Sequence, residues 1–216
     1  MTASAHTRAD ERAHIGLTQR EGEGPDPDEA APIIFGFWVF LMADLVLFAV
    51  LFSVYAAMVN GGQGTAPGPA DLFDLKIPFV ETLILLASSL ACGKASLALK
   101  WRHDRGRLLA WMGLTFLLGA GFLVLELRDF IQLATEKNAP PQASGWLSSY
   151  WLLLGTHGLH VAAGMIWLAV IAAQVVLWGL VHEVKLRIMR FALFWHMLDI
   201  VWIAIITVVY LFGVQS

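Results

Sequence analysis

Five long apolar runs, separated by short polar stretches, set the pattern of this chain. A polar opening from Met1 to Ala31 gives way to an apolar run from about Ile33 to Val59. A second run carries Pro78 in its first turn and ends near Leu99; the others cover about Leu108 to Leu133, Gly145 to Leu180 and Leu186 to Gly213. At about 1.5 Å of rise per residue, each can cross a hydrocarbon core of about 30 Å as an α-helix. The pattern therefore predicts an all-α membrane protein, a five-transmembrane-helix bundle over residues 32–216. Turn-forming residues divide the runs: the Gly- and Pro-rich stretch from Asn60 to Pro69, the basic stretch from Lys100 to Arg107, and Asn138 with the two prolines that follow Ala139.

Residues 1–31 read as a disordered cytoplasmic tail, ending in Gly24-Pro-Asp-Pro-Asp-Glu29. Without an apolar h-region or a small-residue cleavage pattern, the tail does not predict a removable signal peptide. His6 and His14 in it are expected to be solvated. No internal repeat and no separate soluble domain is expected.

Composition agrees with the pattern: 58% of residues are hydrophobic, 14% are charged, and the mean hydropathy is +0.68, too apolar for a water-soluble domain. Cys92 is the only cysteine, which excludes an intramolecular disulfide and a cysteine-based metal site. The net charge of −3 says little, because the division of charge between loops sets topology. Threaded through five spans, Arg8, Arg12, Arg20, Lys94, Lys100, Arg102, Arg105, Arg107, Lys185, Arg187 and Arg190 fall on the side of the N-terminus. Only Lys76, Arg128 and Lys137 fall on the other. This bias predicts a cytoplasmic N-terminus and an outward C-terminus.

Polar groups inside the apolar runs are the candidate chemistry, since an ionisable side chain at mid-membrane costs about 2.5–3.5 kcal/mol on insertion scales and must face protein or water. Asp44 lies eleven residues past Ile33, roughly 16 Å deep at the helical rise. His157, His160, His196 and Asp199 also fall near mid-depth, whereas Glu81, Glu126 and Asp129 sit nearer the outer face. His196 and Asp199, three apart, can bond each other or a common partner, and Trp195 and Trp202 share a face. His157 and His160 share a face of the fourth helix, where Gly155, Gly158 and Gly164 would admit a close neighbour.

Two readings of these groups stand side by side. Three histidines on two helices could hold a haem or a metal ion; the plainer reading makes the groups interhelical hydrogen-bond partners that fix the packing. Asp44 is either a proton-handling carboxylate or a polar clamp. Glu126 to Asp129 reads as a charge-compensated helix end, and the nine tryptophans as belt and packing residues.

Four phrases carry a resemblance: Phe35-Gly-Phe-Trp38 with Leu41-Met-Ala-Asp44, Val80-Glu-Thr82 with Ala87-Ser-Ser89, Gly155-Thr-His-Gly-Leu-His-Val161, and Phe194-Trp-His-Met-Leu-Asp-Ile-Val-Trp202 followed by Val209-Tyr210. In this order they resemble subunit III of the haem–copper terminal oxidases, over Phe35 to Gly213. The five-helix length is similar to the cytochrome bo-type ubiquinol oxidase branch, which lacks two N-terminal helices of the longer form.

The resemblance implies a non-catalytic subunit without redox centres of its own, in a proton-pumping complex of a bacterial cytoplasmic (inner) membrane that oxidises ubiquinol and reduces oxygen to water. Haems and copper would reside in the catalytic partner, subunit I. The subunit would enclose a V-shaped cleft filled with phospholipid and support assembly, stability and sustained proton uptake; no nucleic-acid partner is expected. Asp44 matches a buried glutamate that reacts with carbodiimides, one methylene longer. His157, His160, His196 and Asp199 match family positions that are not redox-metal ligands. Neighbouring readings are subunit III of a cytochrome c oxidase and a subunit III-like partner of a nitric oxide reductase. Rivals of other classes are a b-haem membrane anchor using His157, His160 and His196, and a small transporter using Asp44 and Asp199.

Overall fold

A computed structural model of the chain describes residues 27–61, 75–101, 105–135 and 139–211. The expected tail up to residue 26 with His6 and His14, most of the Gly- and Pro-rich loop, Asn138 and the terminus at Ser216 lie outside the described residues. Five helices are long and apolar enough to cross a membrane. They are α1 (Pro27–Gly61), α2 (Lys76–Trp101), α3 (Arg105–Thr135), α4 (Gly145–Trp178) and α5 (His182–Ile205); α5 continues as a π-helical turn, Ile206–Leu211.

Helix ends follow local chemistry. α1 starts at Pro27, ahead of the expected Ile33, and proline suits a first helical position because its missing N–H would have no partner there. Ser144 caps α4, its hydroxyl accepting from the Leu147 N–H at 3.2 Å. α4 stops at Trp178 because Gly179 takes φ 77° and ψ −161°, a region closed to side chains. There the Arg105 guanidinium of α3 packs so close that a Cβ on Gly179 would stand 2.5 Å from it.

α4 occupies the centre, packed on α1, α3 and α5, while α2 packs on α3 and α5. Buried Trp146, Tyr150, Leu153, His157, Val161, Leu168, Ile171 and Val175 make its length the spine of the core. α1 lies outermost and turns one narrow stripe inward: Leu41, Phe48 and Tyr55, each seven residues after the last, are at most 3% exposed. Asp44 falls on this stripe. The rest of α1, including Phe35, Val46 and Val50, is exposed apolar surface.

Candidate functional site

Polar side chains gather where α1 meets α4, and where α2 meets α5 and α3. On α4, the His160 Nδ1 lies 2.7 Å from the Thr156 carbonyl, which can only accept, so Nδ1 carries a proton. The other nitrogen, Nε2, then faces Asp44 Oδ1 of α1 at 3.9 Å. That separation exceeds a direct hydrogen bond and suits an ion pair or a bridging water. Asp44 Oδ2 is buried with no partner, and the Phe48 ring packs on His160 with centroids 5.3 Å apart.

The predicted contact between His196 and Asp199 is present at 3.3 Å. It is joined by Ser89 of α2, whose hydroxyl lies 2.9 Å from the same Nδ1. This is not a nucleophilic triad, which needs the serine and the carboxylate on opposite ring nitrogens. Sharing Nδ1, the two partners compete for one edge of the imidazole and lock α2 to α5. Trp195 and Trp202 extend the seam: Trp195 Nε1 donates to Ser88 Oγ at 3.2 Å and Trp202 Nε1 to Thr82 Oγ1 at 3.0 Å. Ser88 passes the bond on to the Thr115 carbonyl of α3 at 3.3 Å.

Sequence reasoning missed Thr82, Ser88, Ser89 and Thr115 as members of the site. Only half of the signal was present in the sequence: Trp195 and Trp202 are seven residues apart, whereas Thr82 and Ser88, six apart on α2, show no matching period.

Glu81 and Glu126 face inward between α2 and α3, 2% and 4% exposed. One oxygen of each, Oε1, has no hydrogen-bond partner. The reading of Glu126 to Asp129 as a charge-compensated helix end is overturned for Glu126. α3 runs on to Thr135, and two residues on, Arg128 is exposed while Glu126 is buried. The carboxylate instead lies over Gly158 of α4, where an added Cβ would meet Glu126 Oε2 at 2.8 Å.

His157 departs from the hydrogen-bonding reading. Fully buried, it has no partner at either ring nitrogen. Aromatic rings hold it: Trp202 stacked at 5.4 Å, Phe122 edge-on at 5.9 Å and Phe48 at 6.3 Å. Among the described residues no three His, Cys, Asp or Glu side chains converge as a metal site requires. Nearer the end of the bundle reached by the α3–α4 loop, Tyr150 and Tyr210 share a hydrogen bond of 3.0 Å, and Tyr55 of α1 donates to the Val209 carbonyl at 3.5 Å.

Residues 29–214 match the family described as cytochrome c oxidase subunit III. The chain is 46% identical to the cytochrome bo(3) ubiquinol oxidase subunit 3 of Pseudomonas aeruginosa, over 86% of this chain and 88% of that one. It is 44% identical to the protein of the same name in Pseudomonas putida, over 87% and 89%. With the cytochrome c oxidase subunit 3 of Bacillus subtilis it shares 38% identity, over 82% and 85%.

Proposed function

Because the chain belongs to the cytochrome c oxidase subunit III family, we propose that it is the non-catalytic third subunit of a cytochrome bo-type ubiquinol oxidase, a multi-pass membrane protein bound to the catalytic haem–copper subunit. The observation that supports the donor assignment is that the relatives at 46%, 44% and 40% identity are all named as subunits of ubiquinol oxidases. The polar interior supports the accessory role, since Ser89, His196, Asp199, Trp195 and Trp202 are spent on joining helices.

Among the described residues, the histidines inside the spans, His157, His160 and His196, do not fit a haem. His157 is enclosed by three aromatic rings, the His160 Nε2 faces Asp44 with the Phe48 ring packed beside it, and the His196 side chain turns to the outer surface, so the three do not converge on one cavity. Redox chemistry therefore belongs to the partner, and phospholipid would clothe the exposed apolar surface of α1 and α4. The function of Asp44 in this reading is to hold a proton with His160 at the α1–α4 contact and to tune proton supply to the partner.

Purification of the tagged chain from its native membrane in mild detergent tests the proposal. A large multi-span haem protein should accompany it, and the preparation should consume oxygen with ubiquinol but not with reduced cytochrome c. Turnover with cytochrome c alone would transfer the chain to the other branch of the family. Absence of any haem protein would overturn the accessory role.

A further inference from the structure

His196 stands at the middle of the span Glu183–Leu211, thirteen residues from one end and fifteen from the other, about 20 Å from each at the helical rise. Its side chain is nonetheless 43% exposed, against 22% for His160 and 13% for Asp44. Nδ1 is turned inward to Ser89 and Asp199, and Nε2, neither bonded nor buried within the chain, reaches the surface. Around it the surface is apolar: Leu86 and Leu90 on α2 and Ile200 on α5 are exposed. Gly93, one turn from Ser89 on α2, has nothing within 4 Å of where a Cβ would stand, so the surface there is open.

A lipid tail offers neither donor nor acceptor to a ring nitrogen, and a polar group left facing hydrocarbon is expensive. Other exposed faces differ: Leu159, Ile166 and Val176 on α4 give lipid a purely apolar wall. A polar group left open at mid-depth, with a small residue one turn from its partner on the neighbouring helix, is how one membrane helix receives another.

We propose that the α2–α5 face around His196 seats a transmembrane helix of the catalytic partner, one that brings a hydrogen-bonding side chain to the His196 Nε2 at mid-membrane depth. The assignment rests on the accessory-subunit reading above and places its interface.

A photo-reactive residue introduced at Leu90, and separately at Ile200, tests it in the intact purified oxidase. Both positions should cross-link to one membrane segment of the catalytic chain, and that segment should carry a hydroxyl, amide or carboxyl side chain at the matching depth. Adducts with lipid alone, with a second copy of this chain, or with a segment lacking such a side chain overturn the seat while leaving the accessory role intact. A chain that fails to co-purify with the haem protein overturns the accessory role and the seat with it. Retention after detergent extraction gives a second readout. His196→Leu should weaken the association about three-fold, the size of an average membrane hydrogen bond, and His196→Gln should hold it near wild type. Equal retention of the two variants would refute the proposed bond.

Discussion

Gly158 sets how closely α4 approaches α3, because the Glu126 carboxylate occupies the space its side chain would need. Gly158→Ala must displace that carboxylate, buried and without room to swing into water. Overpacking of this kind costs about 1–3 kcal/mol, so the variant should lower the thermal stability of the purified complex. Gly155→Ala, where a Cβ would meet nothing within 4 Å, should leave it unchanged. The sequence marked Gly155, Gly158 and Gly164 alike as approach points; only the last two are, Gly164 lying against Phe194 and Trp195. Spacing finds the face of a helix, but which turn a neighbour crosses depends on that neighbour's own bulk. Asp44 is the second residue whose role is decided singly. Asp44→Asn keeps the size and the hydrogen bonding beside His160 and removes the titration. If Asp44 tunes proton supply, initial oxygen consumption should persist while its pH profile or its duration over many turnovers changes. Loss of nearly all initial activity with the subunit still bound would make it a mandatory relay, and a variant identical to wild type in all three would make it a clamp.

At the scale of the helix, α5 is held to α2 by two indole N–H groups donating to two hydroxyls along antiparallel neighbours. Membrane hydrogen bonds average about 0.6 kcal/mol in double-mutant cycles, so neither bond alone decides the fold. The expected result for Trp202→Phe combined with Thr82→Val is a coupling of about that size in the unfolding free energy of the complex, and strict additivity would show the bond to be idle. The sequence displayed the tryptophan half of this seam, because a seven-residue interval on one helix needs no knowledge of other helices. The hydroxyl half stayed hidden: Thr82, Ser88 and Ser89 look like any small polar residues until α5 supplies the register. The π-helical turn that places Tyr210 against Tyr150 was equally unreadable, since one extra residue in a helical turn leaves no mark in an apolar run of Ile, Val and Leu.

Across the whole molecule, the five spans were legible because a bilayer imposes length and apolarity directly on each segment. Which helix touches which was not, because each span is apolar on every side and lipid provides no hydrophobic drive to favour one face over another. The packing order, with α4 central and α1 outermost, comes from particular side chains, such as the Leu41, Phe48 and Tyr55 stripe. Charge is the property that orients the bundle as a unit. Lys94 lies over the Trp111 ring at 4.7 Å, Arg105 packs on Gly179, and Arg187 donates to Gln174 at 2.8 Å. The α2–α3 and α4–α5 connections thus meet at one basic end, which the positive-inside bias assigns to the cytoplasm. With that end cytoplasmic, five spans predict an outward C-terminus. Alkaline phosphatase fused after Ser216 should be active, since it folds only outside the cytoplasm, and the same enzyme inserted after Arg102 should be silent. The reverse pattern would invert the bundle, and with it the proposed proton route, because the α1–α4 contact of Asp44 and His160 would then be reached from the opposite side.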